Sequence, residues 1–350
     1  MECVQIERKS VYSFYVRVIV VSLCLLAART ESSPLSENTY LNAVELLTTF
    51  SGERAEQYEP FFRFSDETRI VSVEIHAAGT DNTDARYYAG TEVWKQINNI
   101  LRIKTADGFE GISGVVSEHQ GEFSEKHLLE LQSVTTDLLA LRSLDPVEVG
   151  TMLERTRPDL SDASRANIDI ALWDLAARRA GRPLYKLLGA KRDSIEPYAS
   201  LPFYDSLPEY VDAVNEYAKL GYRTFKFHVW GLIEEDSKLV KLIKKTFADS
   251  PYHFMMDLEG AYGYEDALRL GGEMDERLFI WFEGPIDDKL LEQYRELRNR
   301  LALPIIPAGY NIYSPEFIRQ GIKTGSWDAG RFDATTIGGI SKALELLIIA

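Results

Sequence analysis

From Ile195 onward, short apolar strands alternate with amphipathic helices at a nearly constant interval, and this repeat constrains the fold more than any other feature. Strand starts near residues 195, 223, 252, 278, 304 and 328 recur every 24 to 29 residues. That spacing holds one strand, one helical crossover and two short loops, the unit of a parallel sheet. Repeated this often, it points to a β/α barrel rather than an open doubly wound sheet. No glycine fingerprint of the dinucleotide or Walker type follows any of these strands, which weighs further against the open sheet. A closed barrel takes eight strands, and the chain ends inside its sixth unit, at Leu347-Ile348-Ile349-Ala350. The expectation is a fragment, or a barrel whose unpaired edges a partner covers.

Upstream the pattern differs. Ile70–Ile75, Ile100–Thr105 and Gly111–Val116 read as strands, the last two joined by the turn signal Ala106-Asp107-Gly108. Ser164–Arg179 reads as a helix with Ile168, Leu172, Leu175 and Ala176 on one face, capped by Ser161 or Asp162 and stopped by Gly181 and Pro183. Strands followed by helices make a small α+β domain. The expected division is 1–30 a signal-like or leader segment, 31–68 a poorly ordered lead-in, 69–190 an α+β capping domain and 191–350 an incomplete β/α barrel. The run Val18–Ala28 after Arg8, Lys9 and Arg17 has the length of a signal-peptide core, which implies a secreted or periplasmic protein.

Charge narrows the function. With 39 basic and 54 acidic residues the chain carries a net −15, so nucleic acid is not the expected partner. Both cysteines, Cys3 and Cys24, lie in the leader, which removes thiol chemistry from the rest. An acidic protein still takes an anionic small molecule where a metal ion reverses the local sign.

In a barrel the chemistry sits at the C-terminal ends of the strands. Lys226 and His228, two apart in Thr224–Val229, point to one side, and two inward basic groups call for an anion. The next two strands finish on carboxylates, at Met256-Asp257-Leu258-Glu259-Gly260 and Phe282-Glu283-Gly284-Pro285. Asp257 and Glu283 on neighbouring strands repel each other without a cation, and oxygen donors of this kind suit Mg2+. The sixth strand ends at Gly330-Arg331-Phe332-Asp333, followed by Ile337-Gly338-Gly339-Ile340.

Together with Asn167–Leu175 and Gly181–Gly189, these motifs, in this order, resemble the mandelate racemase/muconate lactonizing enzyme family of the enolase superfamily, over roughly residues 69 to 350. The resemblance implies an α+β capping domain on a (β/α)7β TIM-like barrel, of which six β/α units are present here. It implies Mg2+ holding the carboxylate of a hydroxy acid or acid sugar, and a base removing the adjacent proton to give a metal-stabilised enediolate. On this likeness Asp257 and Glu283 are metal ligands and Lys226 holds charge near the substrate carboxylate. His228 stands where many relatives have the catalytic lysine, and Asp333 where a residue orients a histidine from the next strand. A homo-oligomer and, in contrast to the leader, a cytoplasmic location are the family's usual state.

Two departures matter. The family's third metal ligand is a glutamate after a glycine, and here Gly309 is followed by Tyr310 and Asn311; a phenol is a poor Mg2+ ligand, so weak binding is expected. The residue two beyond Asp257 is Glu259, an acid/base candidate or else a solvated loop carboxylate. The expected function is an acid-sugar dehydratase. A racemase, epimerase or cycloisomerase uses the same parts, and a catalytically inactive fragment is the other alternative.

Overall fold

The computed structural model of this protein describes residues 25–26, 62–79, 97–116, 125–190, 194–274, 276–309 and 315–349. The signal-like segment and the lead-in therefore lie outside the described residues, except for Leu25–Leu26 (β1) and the last residues before the first sheet. Among the described residues no helix is long and apolar enough to cross a membrane.

The first sheet is an antiparallel meander of Ile70–Gly79 (β2), Ile97–Thr105 (β3) and Glu110–Val116 (β4), with β3 in the middle. Helices Glu125–Leu139 (α1), Pro146–Thr156 (α2) and Asp162–Arg179 (α3) follow. Leu101 and Ile103 of β3 are buried with Val134 and Leu138 of α1 and Ile168, Leu172 and Leu175 of α3. Three residues of the apolar stripe read from the sequence lie here, while its fourth, Ala176, is buried in the other core; each large apolar side chain contributes roughly 1.5–3 kcal/mol on burial. A Cβ on Gly111 would lie 2.0 Å from the Ala171 carbonyl, so only glycine lets α3 sit this close on β4. Ser161 caps α3, its hydroxyl accepting from Ser164 N at 3.3 Å.

Leu184–Leu187 (α4) precedes the second sheet, which is parallel and ordered β5-β6-β7-β8-β9. Its strands are Ala199–Leu201, Thr224–His228, His253–Asp257, Phe279–Glu283 and Ile305–Ile306. Between them run Leu207–Lys219 (α5), Ile233–Phe247 (α6), Tyr264–Glu273 (α7) and Leu291–Arg300 (α8). Four strands start within one residue of the sequence-based position. The first does not: Ile195 is 71% exposed and the strand begins at Ala199, after Pro197, which has no N–H to give a ladder.

Pro315–Thr324 (α9), Ala329–Gly330 (β10) and Ile340–Ile349 (α10) complete the described elements. β10 lies beside β9, held by Asp328 N donating to Ile305 O at 2.9 Å, but does not join the five-stranded ladder. It pairs antiparallel with β1 instead, Leu25 opposite Gly330. The expected six-stranded ladder is thus five strands plus a neighbour. The two halves of the molecule are fastened along α3, where Trp173 Nε1 donates to Ser341 Oγ at 3.0 Å and Ser341 N to Asp169 Oδ2 at 3.1 Å.

Candidate active site

The strand register sets the site. His228 of β6 pairs with Asp257 of β7, which pairs with Glu283 of β8, so three candidate side chains stand in one row across the carboxyl ends of adjacent strands. In β6, Phe225 and Phe227 are fully buried in the apolar core, while Lys226 and His228 are buried on the other face. The alternation of the strand separates the two chemistries. A Cβ at Gly284 (φ 52°) would meet the Ala308 Cβ at 2.7 Å, so the chain can leave Glu283 in this direction only with glycine there.

Lys226 is the hub. Its Nζ donates to Asp257 Oδ2 at 2.5 Å and to Glu283 Oε1 at 3.2 Å. All three side chains are 5% exposed or less, so these are desolvated ion pairs. Burial alone would push the Asp257 carboxyl up, but the adjacent cations, Lys226 foremost, hold it well below the usual carboxylate range. Glu283 goes the other way: burial and the Asp257 charge raise it. Burial opposes the charged form of Lys226, and Asp257 and Glu283 outweigh it, so its ammonium is held above the ordinary range.

His228 Nδ1 lies 2.7 Å from the Leu201 carbonyl, which can only accept, so Nδ1 carries the proton. Nε2 is then the basic atom, and it faces Asp257 Oδ2 at 3.6 Å. The backbone behind it is fixed by Tyr210, whose hydroxyl donates to the His228 carbonyl at 2.6 Å.

Two partners of Glu283 were not singled out in the sequence. Arg331 Nε lies 3.0 Å from Oε1, and Trp281 Nε1 donates to Oε2 at 3.2 Å. Arg331 sits in the Gly330–Asp333 segment, where an arginine at a strand end is the available signal. Asp333 itself is exposed, and its Oδ1 accepts from Thr335 N at 2.8 Å and Thr335 Oγ1 at 2.7 Å. The structure therefore gathers Lys226, His228, Asp257 and Glu283 and leaves Asp333 as the cap of its own turn. Tyr310 and Asn311 lie outside the described residues. Glu259 curls back beside Asp257, its N–H donating to Asp257 Oδ1 at 3.3 Å; burial first, then the Asp257 charge, pushes its carboxyl up to about 8.

The donor set fits a divalent cation. Asp257 and Glu283 are buried hard oxygen donors on adjacent strands, and the one is already destabilised as an anion by the other. His228, Asp257 and Glu259 also each offer a ligand atom, all within 4.8 Å of one another.

Comparison with known proteins agrees with this geometry. Residues 71–189 match the mandelate racemase/muconate lactonizing enzyme N-terminal domain, and residues 209–350 match the enolase C-terminal domain-like family. L-talarate/galactarate dehydratase of Salmonella typhimurium is 29% identical over 259 residues, 72% of this chain and 64% of the relative. Arabinonate dehydratase of Saccharolobus solfataricus is 29% identical over 196 residues, 54% of this chain and 52% of the relative. The chain thus spans between about half and two thirds of the length of these relatives. The crystal structure of the Salmonella dehydratase superposes with a TM-score of 0.72 at 27% identity, covering 81% of this chain and 74% of that one. A variant of L-talarate/galactarate dehydratase has been crystallised with Mg and L-glucarate.

Proposed function

The chain belongs to the mandelate racemase/muconate lactonizing enzyme family, and we propose that the protein dehydrates an acid sugar by removing the proton next to its carboxylate. The observation that carries this reading is the buried Lys226–Asp257–Glu283 ion cluster with His228 Nε2 turned toward it. A proton α to a carboxylate is very weakly acidic, so its removal needs fixed positive charge where the anion develops. Lys226 and Arg331 supply that charge from within the protein, in a site where low dielectric strengthens it. Asp257 and Glu283 would hold Mg2+, which when bound adds positive charge at the substrate carboxylate.

In this reading the Cα–H bond breaks and its proton passes to His228 Nε2, because Nδ1 is committed to the Leu201 carbonyl. The β-carbon–oxygen bond then breaks, and the imidazolium returns the proton to the departing hydroxyl, which leaves as water. The Tyr210 and Leu201 contacts keep the ring aimed through both transfers. Residues 69–190 act as the capping domain and 191–350 as the barrel portion that carries the chemistry. Similarity to the talarate/galactarate and arabinonate dehydratases supports a polyhydroxy acid as substrate.

The test is a panel of aldonic and aldaric acids incubated with the protein and Mg2+, with loss of one water followed by mass spectrometry. At least one acid should lose water, and Lys226→Met should abolish the loss. Absence of any dehydration across the panel would count against the dehydratase reading.

A further inference from the structure

Asp257 and Glu283 each have a cation of the protein beside them: Lys226 for both, and Arg331 for Glu283. Glu259 has none. Among the described residues no side chain donates a hydrogen bond to its carboxylate or pairs with it, although it is partly buried beside Asp257. It is also the one described non-glycine residue with a positive φ, 51°, in a region that disfavours side chains. A glycine follows at once, so the chain had a residue better suited to such a turn within reach. In this conformation one of its oxygens, an Asp257 oxygen and a His228 nitrogen all lie within 4.8 Å of one another.

Building on the metal-dependent reading above, we propose that Glu259 supplies a further carboxylate to the divalent cation held at Asp257, in place of the position after Gly309, where this chain has Tyr310. Physical chemistry favours the assignment. Mg2+ needs hard oxygen donors, and a carboxylate meets that need where a neutral phenol does not. Burial and the Asp257 charge outweigh what Lys226 and Arg331 return to this carboxylate, and a bound cation would offset that cost. The carboxylate therefore comes from the strand already carrying Asp257, two residues further on, and the left-handed turn at Glu259 is what makes that reach possible.

The experiment is titration calorimetry of the full chain with MgCl2 alone, and with MnCl2 as a second probe. The variants are Glu259→Gln, Glu259→Gly, Tyr310→Phe and Asp257→Asn. Glycine adopts a positive φ freely, so Glu259→Gly keeps the backbone and removes only the carboxylate; its thermal melt, run alongside, confirms an intact fold. Both Glu259 variants should lower affinity for each cation at least tenfold. Tyr310→Phe should leave affinity within twofold. Parent-like affinity in both Glu259 variants would overturn the inference, as would an equal loss in Tyr310→Phe. The metal reading itself has a separate signature: if the parent binds neither cation, or if Asp257→Asn binds as tightly as the parent, both the inference and the reading beneath it fail. Binding that depends on Asp257 but not on Glu259 removes the inference alone.

Discussion

The molecule buries polar groups in two places and treats them differently. Between β3, α1 and α3 lies a neutral network. Asn167 Nδ2 donates to His127 Nε2 at 3.1 Å and to the Asn99 carbonyl at 3.2 Å, while its Oδ1 accepts from Ser113 at 2.8 Å. The Asn99 amide nitrogen, Nδ2, lies 2.9 Å from the other ring nitrogen, Nδ1, so each side of the ring faces an asparagine amide. Every bond here joins uncharged groups and ties one element to another. The strand-end cluster instead packs Lys226, Asp257, Glu283 and Glu259 together, with charges that satisfy one another only in part. The first arrangement is what a buried network looks like when its task is to fix a fold. The second costs desolvation that apolar residues would avoid, and such a cost persists where the charges meet a ligand.

The comparison breaks most visibly at Lys226. Lys226→Met leaves Asp257 and Glu283 facing each other without their shared cation, and should cost about 3–5 kcal/mol in urea unfolding. Added Mg2+ should recover part of it by replacing the lost charge. A loss under about 1 kcal/mol, or no recovery with Mg2+, would mean that the cluster is not held by charge balance. Asn167→Ala strips partners from Ser113, His127 and Asn99 at once, and should cost roughly 1–3 kcal/mol through unsatisfied buried groups. Mg2+ should recover none of this, and recovery would erase the distinction between the two regions.

The neutral network also sets a pH dependence. Burial lowers the His127 pKa, with the Glu130 charge opposing it. The unfolded chain therefore takes up this proton below about pH 6.5 while the folded one resists it. The stability contributed by the neutral ring is present above that pH and is lost as pH falls. The melting temperature should decline between pH 6.5 and 5, and less steeply in His127→Gln; equal slopes would remove His127 from the account. The smallest effect is expected at Glu259. Glu259→Gly exchanges a left-handed side-chain penalty of roughly 1–2 kcal/mol for a glycine entropy cost of roughly 0.5–1 kcal/mol, so without metal the variant should be more stable by about 0.5 kcal/mol. Destabilisation would mean that the Glu259 side chain supports the fold.

Much of this was legible in the sequence because it is written in local pattern. Strand alternation put Lys226 and His228 on one face, and the glycine after Glu283 marked where that strand ends. The non-local parts were not legible. Arg331 reaches Glu283 across the barrel segment, and no spacing rule relates those positions. The pairing of Ala329–Gly330 with Leu25–Leu26 joins opposite ends of the chain. Asp333 stands in a motif read by family likeness, but its own surroundings are a turn whose Thr335 satisfies its carboxylate. Glu259 was visible as a carboxylate, and only its backbone conformation and proximity to His228 and Asp257 show that it belongs to the site.

The most direct test of the central claim, that the strand-end cluster removes an α-proton through His228, is solvent exchange. An acid sugar that binds the protein is incubated in D2O with Mg2+, and deuterium at the carbon next to the carboxylate, in recovered substrate and product, is read by proton NMR. The account predicts incorporation with the parent protein and none above background with His228→Asn, while Mg2+ affinity stays within twofold. Exchange that persists in His228→Asn at the parent rate would contradict it.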